Sequence, residues 1–92
     1  MFDAEAPADP AMLRPLSLTR RGQAGVVQRV GGAGDLERRL LEIGFVEGAR
    51  VRVLHEGLFG RDPIAVQVDD TRVALRRREC SEVVIRMDAA SA

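Results

Sequence analysis

Apolar and polar residues alternate along three short stretches of the chain, 51–55, 64–68 and 71–75. An alternation with a period of two is typical of a β-strand that buries one face and exposes the other. Only Asp69 and Asp70 separate the second stretch from the third. The pattern therefore predicts three strands, of which the last two form a hairpin with a two-residue loop.

Two further runs, 24–30 and 83–85, are rich in β-branched residues and bring the predicted strands to five. A helical period occurs once, between the first two strands, where Leu36, Leu40 and Ile43 follow at i, i+4 and i+7. Parallel sheets need crossover connections of a dozen residues or more, and these loops are too short for them. The sequence therefore predicts a mainly-β fold, a small five-stranded antiparallel barrel with one short helix.

The ends of the predicted helix carry recognisable signals. Asp35 precedes the apolar stripe and is the expected N-cap. Gly44 follows the stripe in the position of a C′ glycine, which places Phe45 where it can contact Leu40 in a Schellman motif. The helix is therefore expected to be short and sharply terminated.

The 92 residues are enough for one domain with one small core. Residues 1–15 combine alanine, proline and early acidic residues without a sustained period, so we expect a flexible N-terminal arm. The periodic signals define a body over 16–86, and 87–92 is expected to be a short, fraying C-terminal tail.

Fourteen arginines balance fourteen acidic residues, and lysine is absent. The zero net charge provides no global field for nucleic acid or anionic lipid, so such binding would require a local patch. The absence of lysine excludes Schiff-base and P-loop lysine chemistry. One cysteine, no apolar run of membrane-spanning length and no secretory signal at the start predict a cytoplasmic protein without membrane insertion.

Residues with metal-binding or nucleophilic side chains are few. His55 is the single histidine and Cys80 the single thiol, and with Glu56 they are the weak candidates for a metal site. Structural zinc sites show paired Cys or His ligands at characteristic spacings, which are missing here. We therefore predict no enzymatic activity, no cofactor and at most weak binding of a divalent metal.

The order of several short motifs resembles that of the ferrous iron transport protein A (FeoA) family. The resemblance covers 17–86 and rests mainly on Arg39-Leu40 with Gly44 to Gly48, on 62–68, and on 73–85. Glu47 stands where the family often has proline, Asp69-Asp70 where a glycine is usual, and Cys80 where alanine is common. The resemblance implies an SH3-like barrel that serves ferrous iron uptake by interacting with, and regulating, a FeoB-type membrane GTPase transporter.

The family resemblance directs attention to surfaces rather than to an active site. Apolar candidates for partner binding are Leu41 on the helix and Leu58 and Phe59 between two glycines, and the basic candidate is the run Arg76, Arg77 and Arg78. A second copy of the chain is another possible partner. Two alternatives stay open: a metal-sensing domain like the C-terminal domain of DtxR-type repressors, and, with less support, an RNA-binding SH3-like barrel. With three phenylalanines and no Trp or Tyr, the chain offers few aromatics for stacking on bases, so we expect no nucleic acid partner.

Overall fold

The structure is a computed structural model that describes residues 12–91, apart from the side chains of Leu58 and Phe59. Six strands and two α-helices follow one another in the order β1, β2, α1, β3, β4, β5, α2, β6. Their bounds are β1 Leu13–Pro15, β2 Ala24–Val30, α1 Gly34–Ile43, β3 Arg50–Phe59, β4 Asp62–Val68, β5 Thr71–Leu75, α2 Arg77–Cys80 and β6 Val83–Met87. Short 3-10 helices occupy Leu16–Leu18 and Ala89–Ser91.

All six strands belong to one antiparallel sheet with the order β1-β6-β2-β3-β4-β5. The predicted mainly-β fold with a short helix between two early strands is confirmed. The number of strands differs, because β1 adds a sixth strand at one edge of the sheet. The sheet is open along β1 and β5 within the described residues, so its closure by strand pairing, expected for a barrel, is incomplete.

The alternation seen in the sequence produces the core. In β3 and β4 the apolar positions are buried on the concave side of the sheet, and the intervening residues face outward. Phe45 and Leu40, both fully buried, fill the space between α1 and the sheet. The fully buried large side chains are Phe45, Leu16, Leu40, Ile64, Leu75, Ile85, Val27, Val51, Val53, Val66, Val68 and Val83.

Helix α1 ends as predicted and begins differently. The N–H of Phe45 donates to the carbonyl of Leu40 (3.0 Å) and that of Gly44 to the carbonyl of Leu41 (3.1 Å), which is the Schellman pair. Gly44 has φ 127°, a value that favours glycine. The predicted N-cap Asp35 is wrong: Ala33 holds that position without a side-chain cap, and Asp35 lies in the first turn.

Two tight hairpins connect β3, β4 and β5. Asp69 and Asp70 form the predicted two-residue loop between Val68 and Thr71, which pair directly. The segment 57–60, expected to be a connection, instead continues β3 as far as Phe59 and turns at Gly60-Arg61. The strand can continue because Gly57 lies against the backbone of Asp62, where a Cβ atom would overlap the carbonyl oxygen.

The ends of the described chain are more ordered than the sequence suggested. Leu13–Pro15, assigned to the flexible arm, pair with β6 as strand β1, and the rest of that arm, 1–11, lies outside the described residues. In the predicted tail, Met87 is a buried residue of β6. Ser91 accepts hydrogen bonds from Gln23 (2.8 Å) and from the N–H of Ala24 (3.0 Å), which fix the second 3-10 helix against β2.

Candidate partner-binding surfaces

One carboxylate on the concave side of the sheet gathers three arginines. A bulge in β3 places His55 opposite Ala65 and Glu56 opposite the buried Ile64, so the two neighbours point to different sides. Only 12% of the Glu56 side chain is exposed. Its Oε1 atom is buried and makes no hydrogen bond of good geometry, although it lies within salt-bridge distance of guanidinium groups.

The three arginines come from distant segments. Arg20 lies 3.4 Å from Glu56 Oε2, while Arg61 lies 3.3 Å and Arg77 3.7 Å from Oε1. Together with Glu56 they form what we call the ionic cluster. The cluster connects the chain just after the first 3-10 helix, the β3–β4 hairpin and α2 by salt bridges, and these contacts stabilise the fold.

The predicted basic run divides into residues with different surroundings. Arg77 donates to the carbonyl of Ser17 and, at 2.9 Å, to that of Arg61, and its backbone N–H donates to Asp62 Oδ1 (2.9 Å). These contacts commit Arg77 to the interior of the fold. Arg76 and Arg78 are exposed and make no salt bridge with the described residues.

The exposed pair borders a groove beside α2. Its volume is about 430 Å³, and we call it the α2 groove; its lining residues are Arg39, Pro63, Ala74, Arg76, Arg78 and Glu79. Glu79 is largely buried, and its carboxylate accepts from the backbone N–H of Arg76 (2.8 Å) and pairs with Arg39. Because Glu79 is occupied in this way, the charge that the groove presents to a partner is that of Arg76 and Arg78.

The apolar candidates are placed as follows. Leu41 is exposed at 43%, and Val46, which the sequence reasoning did not single out, is exposed at 46% just beyond the end of the same helix. The two residues flank the Gly44 cap. Leu58 and Phe59 lie in β3, and their side chains are outside the described part of the structure.

The three metal-site candidates are not brought together. His55 is exposed on the convex side of the sheet, Glu56 is in the ionic cluster, and Cys80 is fully buried in the core. Burial, with the adjacent Glu79, raises the pKa of the Cys80 thiol to about 12, which keeps it protonated and inert. Among residues 12–91 no group of three or more His, Cys, Asp or Glu side chains could hold a metal ion.

The convex side of the sheet carries a set of arginines that sequence reasoning missed. Strand register places five of them outward, and we call this set the arginine face: Arg29, Arg50, Arg52, Arg72 and Arg86. The period-two pattern could have revealed three of them, because Arg50, Arg52 and Arg86 each lie between two buried neighbours. Because the net charge of the whole chain is zero, the composition did not reveal this local concentration of positive charge.

Taken together, the open antiparallel sheet and the short helix define a class of protein, a small SH3-like domain. No helix among the described residues is long and apolar enough to cross a membrane. Residues 14–87 match the model of the FeoA domain, so the chain belongs to the FeoA family. The resemblance seen in the sequence is thereby confirmed.

Similar proteins connect this family with iron transport and with metal-dependent regulation. The chain is 32% identical over 77 residues, 84% of its length, to an Fe(2+) transport protein A/Fe(2+) transporter FeoB fusion protein of Porphyromonas gingivalis, of which it spans 9%. It is 42% identical to the zinc complex of Stenotrophomonas maltophilia FeoA, described as a prokaryotic SH3 domain protein (TM-score 0.69; 83% of this chain, 91% of that one). A manganese-dependent transcriptional repressor contains the same fold (TM-score 0.76, 27% identity; 91% of this chain, 45% of that one). The zinc of the Stenotrophomonas protein has no evident counterpart here, since the described residues offer no suitable set of ligands.

Proposed function

We propose that this chain is a non-enzymatic, cytoplasmic accessory protein of ferrous iron uptake that binds a FeoB-type membrane transporter directly and regulates it. The observation that carries the proposal is the fusion protein, in which a region similar to this chain is covalently joined to such a transporter. Covalent fusion makes the association permanent, whereas a separate chain must rely on a docking surface with its own affinity. The family assignment supports the same role.

We propose the α2 groove as that docking surface. Arg76 and Arg78 line it and make no ion pair with the described residues, and the exposed residues Pro63 and Ala74 add apolar surface. Arginine forms bidentate hydrogen bonds with carboxylates, so the groove suits an acidic segment of a partner. Arg77 is excluded from this role because its guanidinium is already bound within the fold.

The test is binding of the purified chain to a detergent-solubilised FeoB-type transporter. Arg76→Glu/Arg78→Glu should abolish retention, because it reverses two exposed charges whose side chains make no salt bridge with the described residues. The control, Arg21→Glu/Arg29→Glu, changes the same charge at two exposed positions away from the groove and should leave binding intact. Circular dichroism verifies folding of each variant.

The outcomes test the docking surface and the proposed function separately. Equal loss of transporter binding in both double variants would indicate general electrostatic attraction and exclude the groove as the specific site. Leu41→Ala tests the exposed helix residue as an alternative docking contact. A wild-type chain that is not retained even at low ionic strength would contradict direct binding to the transporter.

The alternative of a metal-sensing domain rests on the manganese-dependent repressor that shares the fold. A shared fold does not determine function, because function depends on the residues of the site. The described residues present no ligand group for a metal, and so the transporter proposal has the stronger support. Stoichiometric binding of Mn²⁺ or Fe²⁺ measured by calorimetry would favour the alternative.

A further inference from the structure

The arginine face has an uneven distribution of charge. The six strands contain only two carboxylates, Glu56 and Asp62, and both belong to the concave side, where each contacts arginine. The convex side therefore presents five arginines and no acidic side chain at its strand positions. A sheet that only needed a soluble outer face would be expected to mix the two signs.

Acidic groups do reach the rim of this face, but they engage one arginine. Asp88, which follows β6, forms a bidentate pair with Arg50 (3.0 and 2.6 Å), and Asp69 accepts from the backbone N–H of the same residue (3.0 Å). The pKa of Asp88 lies below its usual value, chiefly through the bond to Arg50 and additionally through the charges of Arg52 and Arg86. These three guanidinium groups are thus close enough to act on one carboxylate.

Four arginines of the face then lack a carboxylate partner among the described residues. Arg52 donates to the carbonyl of Gly22 (2.8 Å), a neutral acceptor, and Arg29, Arg72 and Arg86 make no salt bridge there. Residues 12–91 hold all fourteen arginines against eleven acidic residues, which leaves a formal charge of +3. The compensating charges are Asp3, Glu5 and Asp9, all within 1–11.

The segment 1–11 joins the sheet beside this surface. Leu13 at the start of β1 pairs with Arg86 of β6. Arg86 in turn pairs with Val26 of β2, and Val26 pairs with Arg50 of β3, so Leu13, Arg86 and Arg50 lie in one row across the sheet. With strands about 4.8 Å apart, Arg50 lies roughly 10 Å and β5 roughly 19 Å from β6. Eleven residues extend to about 36 Å, so the segment is long enough to cross the whole face.

We propose that residues 1–11 dock in cis on the arginine face, with Asp3, Glu5 and Asp9 pairing with Arg52, Arg72 and Arg86. Arg52 and Arg72 both pair with Gln67, so they lie two strands apart, roughly 10 Å. Asp3 and Glu5 are about 7 Å apart in an extended segment, and the long arginine side chains can span the difference. Single surface ion pairs are weak. Tethering compensates, because a short connection raises the local concentration to the order of millimolar.

Docking in cis gives the segment a regulatory effect. The acidic residues cover the arginine face, so any other anionic ligand must displace them before it can bind there. The inference does not depend on the transporter proposal, which concerns Arg76 and Arg78 of the α2 groove, two residues that are not part of the arginine face.

The test places a nitroxide label on Ala4→Cys and measures amide peak intensities in the ¹⁵N-labelled chain. Cys80 is buried and inert, so labelling is expected at the introduced thiol alone, which mass spectrometry verifies. We expect a loss of intensity at Arg52, Arg72 and Arg86 relative to Arg38 on α1. High salt should restore it, because exposed ion pairs are screened.

The matched control carries the same label together with Asp3→Asn/Glu5→Gln/Asp9→Asn, and here the selective loss should disappear. The proposal would be overturned if this variant lost as much peak intensity at Arg52, Arg72 and Arg86 as the labelled chain with its acidic residues. It would also be overturned if the loss were spread evenly over the domain. A mixture of labelled ¹⁴N chain and unlabelled ¹⁵N chain decides whether the contact is internal. A loss of intensity that persists in that mixture would mean that residues 1–11 of a second copy bind the face, and the proposed docking in cis would be wrong.

Discussion

The ionic cluster allows a quantitative test of what holds the fold together. The change is Glu56→Gln, which keeps the size and shape of the side chain and removes its charge. Three arginines lose their common counter-ion, and Arg77 is the most affected because only 26% of its side chain is exposed. Arg20, exposed at 62%, is well hydrated without the carboxylate.

The expected magnitude lies between two limits. Exposed ion pairs contribute about 0.2–1 kcal/mol, and removing one partner of a fully buried pair costs about 3–5 kcal/mol. Glu56 is nearly buried, but its partners are not, and Arg77 keeps its bonds to the carbonyls of Ser17 and Arg61. We therefore expect the free energy of unfolding to fall by about 2 kcal/mol, which for a domain of this size lowers Tm by roughly 10 °C.

Urea and thermal unfolding followed by circular dichroism measure the change. The matched control is Glu42→Gln on α1, which removes the same charge from an exposed carboxylate that makes no salt bridge with the described residues. It should leave stability unchanged within about 0.5 kcal/mol. If Glu56→Gln lowered the free energy of unfolding no more than this control, the reasoning would be refuted, because the ionic cluster would then contribute no more to stability than a surface pair.

Three further predictions concern other parts of the fold. Cys80, with its pKa raised to about 12, should react with iodoacetamide only as fast as the chain unfolds. The lowered pKa of Asp88 means that its bond with Arg50 stabilises the fold at neutral pH and is lost as the pH falls through the folded-state pKa, so Asp88→Asn should lower the urea midpoint at pH 7 and not in strong acid. Gly25→Ala should prevent stable folding, because its Cβ atom would overlap the carbonyl oxygen of Arg86 on the neighbouring strand.

Each of these predictions has an outcome that contradicts it. Rapid alkylation of Cys80 in the folded chain would show that the core opens locally. If the urea midpoints of wild type and Asp88→Asn differed by the same amount at every pH, titration of Asp88 would be excluded as the cause of the difference. A stable Gly25→Ala variant would show that β2 and β6 can separate without loss of the fold. The control for the substitution itself is Gly31→Ala, because Gly31 does not have a positive φ and its Cβ atom would first meet the flexible carboxylate of Glu82, at 3.1 Å.

Local signals explain which parts of the fold could be predicted. The β4–β5 hairpin and the end of α1 depend on residues adjacent in sequence, and both appear in the structure. Strand β1 was missed because its three residues show no period and find their partner in β6, some seventy positions later. The continuation of β3 was missed because Gly57 indicates a hinge in sequence, whereas in space it allows close contact between two strands.

The proposed binding surfaces were predictable from the sequence only in part, for a similar reason. Three consecutive arginines look equivalent in the sequence, but Arg77 meets Ser17 and Arg61, which only the fold brings near it. Arg76 and Arg78 remain on the surface. The arginine face is made from four strands, so no window of sequence contains it.

The position of β6 has a consequence for how the chain acquires its structure. This last strand lies between β1 and β2, the first two, and each depends on it for a row of hydrogen bonds. Contacts between residues so far apart in sequence form slowly, because a long loop must close before they are made. During synthesis the early strands therefore wait for the carboxyl-terminal one, and a chain that stops before Val83 leaves β1 without a partner and one edge of β2 unpaired.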